Sequence, residues 1–301
     1  MKLKILTIIS LLNLISILAI SQDSYMVESE IDGIKLNGTQ ILNSKKIFSL
    51  DKFSLGVYGG VNFSLIIPYQ RNSIFSGQVT TDFDKKYNFF IENFGSQMGF
   101  IFMYNISKLM KISIQPSSNN YTYKYKNSYQ WTGNTILQYQ TQYAHHLRIF
   151  EVPLIAGFYM SYKTWQPYFQ GGIFYGRLLN ATADISLVET SSNLAGSSQS
   201  LNYSTSSSST DLYKKNQYGI SGGAGLDYLI GKTRIGIDAN YKLLLSNLNT
   251  TETQYVNNQV VSGTYDVPDK FKFSNLSINI HIIVPIKCDS SGGRGGALFC
   301  E

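Results

Sequence analysis

Three imidazoles, His145, His146 and His281, are all the chain offers for acid–base work near neutral pH. His145 and His146 are adjacent, and they stand near the expected outer end of a strand, where a metal or proton-transfer role would be imaginable. Successive strand side chains point to opposite faces, so both rings cannot reach one ligand without a bulge. No Gly-x-Ser-x-Gly elbow, His-Glu-x-x-His helix or phosphate-binding glycine loop is present. No catalytic residue, cofactor site or metal site is expected, and the chain reads as a non-enzyme. Cys288 and Cys300 flank the run from Ser290 to Gly296. They would close a disulfide loop in an oxidising compartment, while the Gly/Ser content suits an unstructured extension equally well. Without a nearby histidine they make a poor zinc site.

The charges carry more information than the histidines. Glu151, Arg177, Asp227, Arg234, Asp238 and Lys242 all read as the polar side of strands that alternate apolar and polar residues. In Arg234 to Leu245, Ile235, Ile237, Ala239, Tyr241, Leu243 and Leu245 alternate with Arg234, Gly236, Asp238, Asn240 and Lys242. In Leu276 to Ile286 the even positions are aliphatic, and Asn275, Ser277, Asn279 and His281 take the other face. Tyr218 to Ile230 sets Ile220, Ala224, Leu226, Tyr228 and Ile230 against mostly small residues. Period two with one strongly apolar face is the mark of a barrel strand that meets lipid outside and a polar lumen inside. A lumen of about eight strands is only wide enough for side chains to fill, so these six charges are expected to pair as a polar plug, an ion path being the other reading.

The rest of the chain agrees with export and a membrane-embedded β fold. Lys2 and Lys4 precede an apolar stretch, Ile5 to Ile20, and Ala19-Ile20-Ser21 is a small-x-small cleavage pattern. This reads as a signal peptide over 1–21, too short and too interrupted to span a bilayer as a helix. No cysteine near the cleavage point offers a lipoprotein anchor. The remainder divides into a periplasmic segment 22–50, a barrel 51–287 and a Gly/Ser/Cys tail 288–301. With 22 Tyr, 17 Phe and only 15% charged residues, the chain is aromatic-rich and charge-poor for a soluble domain. The net charge of +6 is spread along the chain, so no nucleic-acid surface is implied.

Strands are expected at 53–67, 93–106, 109–122, 143–160, 166–181, 216–230, 233–247 and 271–286. Short links at 106–108, 161–165 and 231–232 alternate with long polar links at 68–92, 123–142, 182–215 and 248–270, as periplasmic turns alternate with extracellular loops. The serine-rich 182–215 link is too polar to bury and is expected to be mobile. Tyr104, Tyr162, Trp165, Tyr168, Tyr228 and Tyr241 lie near strand ends and would suit interfacial girdles. A soluble β-sandwich would show shorter strands and polar outward faces. The fold class is therefore all-β: a transmembrane antiparallel up-and-down β-barrel of about eight strands in the outer membrane.

The run Phe150-Glu151-Val152-Pro153-Leu154-Ile155-Ala156-Gly157-Phe158, followed by Trp165-Gln166-Pro167-Tyr168-Phe169-Gln170-Gly171-Gly172, resembles the PorT-like outer-membrane β-barrel family of Bacteroidetes. The resemblance extends over about 53–286 and implies residence in the outer membrane. For some members it implies a role in assembling a secretion machine. One feature departs from many outer-membrane barrels: the last strand is followed by the cysteine tail and does not end on an aromatic. The leading functional expectation is a membrane scaffold whose long loops bind an envelope partner, its other partner being outer-membrane lipid; a narrow pore and a rim-located enzyme are the alternatives.

Overall fold

The computed structural model describes residues 52–72, 85–131, 135–161, 163–193, 198–254, 258, 260–261, 266–286, 288–289 and 299–300. The expected signal peptide, the 22–50 segment and Tyr162 lie outside these residues. Among the described residues eleven strands form one sheet: β1 (Phe53–Gln70), β2 (Lys86–Tyr87), β3 (Phe94–Asn105), β4 (Met110–Ile114), β5 (Ser117–Trp131), β6 (Thr135–Tyr159), β7 (Trp165–Asn193), β8 (Ser198–Ser208), β9 (Asn216–Ile230), β10 (Thr233–Leu244) and β11 (Lys270–Pro285). Cys288–Asp289 (β12) pairs antiparallel with Phe299–Cys300 (β13), with Cys288 opposite Cys300.

Eight of these positions close a ring. β4 and β5 are two halves of one strand, since both pair with β3 on one side and β6 on the other. They part at Pro116, which has no amide hydrogen for the ladder; across the break the N–H groups of Phe100 and Gln115 still donate to the carbonyls of Pro116 and Pro153, each at 3.0 Å. The order is then β1, β3, β4/β5, β6, β7, β9, β10, β11 and back to β1, every pair antiparallel. All eight expected strands are present. Closure removes the unpaired edge that an open sheet would expose.

The ring turns an apolar face outward. Val57, Met98, Phe100, Leu154, Phe169, Ile173, Ile220, Ile237, Ile280 and Ile282 are all exposed. So continuous an apolar band is untenable in water and is the surface a bilayer covers. No helix among the described residues is long and apolar enough to cross a membrane; the strands do the crossing. Exposed Trp165 and Tyr228 pack at 4.7 Å beside the short turns, and Tyr241 is also exposed, as a girdle requires. Tyr168 corrects that expectation: it is buried and faces the lumen.

The short turns lie at the same end as Phe53 and Pro285. At the β9–β10 turn Gly231 has φ +61°, a conformation glycine adopts without a Cβ clash. Two expected loops at the opposite end are strands. β5 and β6 continue through most of 123–142, and β7 runs on to Asn193 and returns as β8. Beyond the bilayer the outward face meets water while the inner face keeps Tyr125, Tyr143 and Ile185 buried, so the apolar outward face ends while the backbone ladder persists. The 182–215 segment is not uniformly too polar to bury either: Leu212 and Tyr213 are buried after β8, and the N–H of Ser209 donates to the carbonyl of Ala181 at 2.9 Å.

Inside the ring, glycines make room for large side chains. A Cβ on Gly225 would sit 2.4 Å from Cζ of Tyr168. Gly225→Val is therefore expected to displace the Tyr168 ring and to cost about 1–3 kcal/mol, read as a lower urea midpoint for refolding in liposomes; an unchanged midpoint would show that the ring is not packed there.

Candidate functional site

The lumen is filled in layers, and the lowest lies near the short turns. Asp227 on β9 accepts from Nε2 of His281 on β11 at 2.8 Å and from the Tyr159 hydroxyl at 2.9 Å. The other ring nitrogen of His281, Nδ1, lies 3.2 Å from Asp238 on β10. The Tyr159 oxygen also accepts from Lys111 Nζ at 3.1 Å and Arg234 Nη1 at 3.4 Å. Lys111 sits over the Tyr168 ring, 3.6 Å from its centroid, a cation–π contact. The cations and carboxylates of this layer compensate one another across four strands.

Above it runs an amide layer. Asp238 accepts from Asn279 at 2.8 Å and from Asn240, and Gln170 donates to Asn240 at 2.8 Å. Next comes the ion pair of Lys242 and Glu151 at 2.6 Å, with the Tyr121 hydroxyl donating to Glu151 at 2.7 Å. Both charged residues are buried, 7% and 2% exposed. Such a pair is sustained by mutual charge and the extra donor, because either charge alone would be strongly disfavoured.

The outer half of the lumen is aromatic. Tyr123 stacks on His145 at 4.7 Å, and the Tyr213 hydroxyl lies 2.7 Å from His145 Nδ1. Tyr121, Tyr125, Tyr143, Phe271 and Phe273 complete the cluster. A cap then closes the end. Lys85 bridges Asp266 at 2.7 Å and Asp269 at 3.4 Å and donates to the Val267 carbonyl at 2.6 Å. Asp269 also accepts from the Tyr87 hydroxyl and from the Asn72 N–H. Burial raises the Asp266 carboxyl above its ordinary range, against the opposing pull of Lys85. The links before β2 and before β11 are thereby tied together over the lumen.

Of the six charges singled out in the sequence, Glu151, Asp227, Asp238 and Lys242 point inward and are buried, and Arg234 is half-buried at the lower rim. Arg177 does not join them. It is exposed on the outer face, because at its level the lumen is apolar and takes Phe174 and Leu178 from β7 instead. Asp227 and Asp238 both flank His281, at 2.8 and 3.2 Å, pairings the alternation does not specify. His145 is buried, whereas its neighbour His146 faces out and meets Asp184 at 3.3 Å. The sequence reading missed His281, Lys111, Tyr121 and Tyr159 as partners of the inward charges; inward parity marks them as lumenal but says nothing of contact across the barrel. Nothing in the sequence signalled the Lys85–Asp266–Asp269 cap. Among the described residues no three His, Cys, Asp or Glu side chains are arranged to hold a metal.

A closed antiparallel ring with an apolar exterior and a packed polar interior defines a transmembrane β-barrel. The family model described as "Outer membrane protein beta-barrel domain" matches residues 39–250, and the chain belongs to that family. It is a protein of the outer membrane. The match ends before β11, the strand that closes the ring against β1. Among solved structures, OprG of Pseudomonas aeruginosa is 11% identical, with 77% of this chain and 94% of OprG covered and a TM-score of 0.33. Ail of Yersinia pestis, solved with the heparin analogue sucrose octasulfate, is 12% identical over 77% and 99%, TM-score 0.31. Neisserial surface protein A is 10% identical over 78% and 97%, TM-score 0.29. No curated protein matches the chain.

Proposed function

We propose that this protein is a non-conducting, non-enzymatic outer-membrane scaffold whose outer strands bind an envelope partner. The observation that carries the reading is the filled lumen: charges compensated in pairs, then a stacked aromatic layer, then a cap held by Lys85. Such a plug stabilises the barrel and leaves little room for a solute path. The sheet offers a binding surface in its place. β5, β6, β7 and β8 pair side by side beyond the ring, and β6 alone has 13 residues preceding Arg148, about 40 Å of extended chain. Its outward positions carry Gln138, Gln140 and Gln142, with Ser186 of β7 opposite Gln142, side chains suited to hydrogen-bonded recognition by a protein. The resemblance of the Phe150–Phe158 and Trp165–Gly172 runs to PorT-like barrels favours a secretion-machine component as that partner.

Planar-bilayer recording of the refolded protein tests the plug, and the expected trace is silent at potentials where a porin conducts. Stable ion-sized steps would replace the scaffold with a narrow pore. Affinity capture from detergent-solubilised outer membrane is expected to retain a secretion-machine protein, and to lose it when β8 is deleted from a barrel that still folds.

A further inference from the structure

Three exposed cations stand at the upper margin of the apolar band, two of them, Arg148 and Arg177, on the lipid-side face. Arg148 on β6, Arg177 on β7 and Lys215, just ahead of β9, are all exposed. Arg177 lies opposite Phe150 on β6 and Asn216 on β9, one diagonal step from Arg148, which corresponds to about 7–8 Å between neighbouring strands. Lys215 is held beside them, because its carbonyl accepts from the N–H of Leu178 at 2.8 Å. The register shifts here: Arg148 pairs with Asn180 and Ile149 with Leu178, so Leu179 is the extra residue of a bulge, and Leu179 and Asn180 are both exposed. The bulge turns a local patch of surface outward.

The surroundings are amphipathic in one direction. Immediately toward the bilayer lie exposed Phe150, Tyr175 and Tyr218, an apolar and aromatic floor of the kind found at a membrane interface. On the water side lie Lys124 and Lys126 of β5. Asp184, on the outer face of β7, is engaged by His146 at 3.3 Å. Among the described residues no carboxylate comes within ion-pairing distance of Arg148, Arg177 or Lys215. Unpaired cations beside an apolar band need an anion at headgroup depth, and planar guanidinium groups match phosphate oxygens two at a time.

We propose that Arg148, Arg177 and Lys215 bind the phosphate of a phosphorylated glycolipid in the outer leaflet, with its acyl chains against Phe150, Tyr175 and Tyr218. A lipid-linked phosphate is chosen over a free one because the site opens sideways onto the apolar floor. The proposal takes from the family assignment only that the barrel sits in the outer membrane.

Native mass spectrometry of the full barrel in detergent supplies the test, with a bis-phosphorylated glucosamine glycolipid as probe. The wild-type barrel is expected to retain it, and Arg148→Gln/Arg177→Gln/Lys215→Gln to bind it about a hundredfold more weakly. Arg177→Gln alone should give a partial loss. Lys108→Gln/Lys163→Gln, at the opposite rim, should bind as wild type does. The dephosphorylated glycolipid should bind the wild-type barrel as weakly as the probe binds the triple variant, and millimolar inorganic phosphate should not displace the probe. Equal retention by wild type and a folded triple variant would overturn the site. Equal binding of the dephosphorylated lipid would reduce it to acyl-chain contact, and displacement by inorganic phosphate would make it a free-anion site; either outcome defeats the proposal.

Discussion

Lys242→Met is expected to destabilise the folded barrel by about 3–5 kcal/mol, because it leaves the Glu151 carboxylate buried with only the Tyr121 hydroxyl to answer it. The two charges sit on strands far apart in the ring, β6 and β10, so the lost contact also loosens the lumen at mid-height. Glu151→Gln should cost somewhat less than Lys242→Met, since the amide still offers an acceptor to Lys242 Nζ. The double variant Glu151→Leu/Lys242→Met should recover much of the loss, because replacing both partners by apolar groups removes the uncompensated charge. Urea titration in liposomes, followed by the fluorescence of Trp131 and Trp165, measures all three. A Lys242→Met barrel within 1 kcal/mol of wild type, by order of magnitude below any buried-pair loss, would mean that water reaches Glu151 and that the lumen is wetter than its side-chain contacts imply.

The second large effect is on the opposite face of the same strand. Ile237→Arg should destabilise by about 2–4 kcal/mol, the cost of holding a guanidinium near the bilayer midplane. Ile237 and its cross-strand neighbour Ile280 are 49% and 63% exposed, both within the apolar band. Ile280→Arg should behave alike, and Arg at both positions should cost more than either, since two like charges would then face each other across β10 and β11. Arg177→Ala serves as the contrast: that residue already lies outside, at the band's margin, and its loss should shift stability by only about 0.5 kcal/mol or less. An Ile237→Arg variant as stable as wild type, together with lipid contact by a labelled cysteine at position 238, would shift the register by one residue.

Much of this architecture is legible without coordinates, for a reason that lies in strand geometry. Side chains alternate faces along an extended chain, so a bilayer outside and a polar lumen inside write period two directly into β9, β10 and β11. Those strands are read almost to the residue, as are the turns at 106–108 and 231–232. The reading weakens where one of the two environments changes. In β7 the upper lumen is apolar, so Phe174 and Leu178 compete with Ile173, Tyr175 and Leu179 for the apolar face, and the parity of Arg177 becomes ambiguous; the bulge at Leu179 then inverts the phase for the rest of the strand. Beyond the bilayer, water replaces lipid on the outward faces of β5 to β8, and serine-rich strand resembles loop.

Local order and outward apolarity were therefore determined by the sequence itself: eight antiparallel crossings, the short-turn end, and the inward placement of Glu151, Asp227, Asp238 and Lys242. Only the tertiary structure decided which charge meets which. Lys242 finds Glu151 from 91 residues away, His281 lies between Asp227 and Asp238, and Lys85 reaches Asp266 and Asp269 to cap the lumen. Alternation specifies a face, whereas contact across a barrel depends on ring closure, strand stagger and side-chain length, and these exist only once all eight strands are in place.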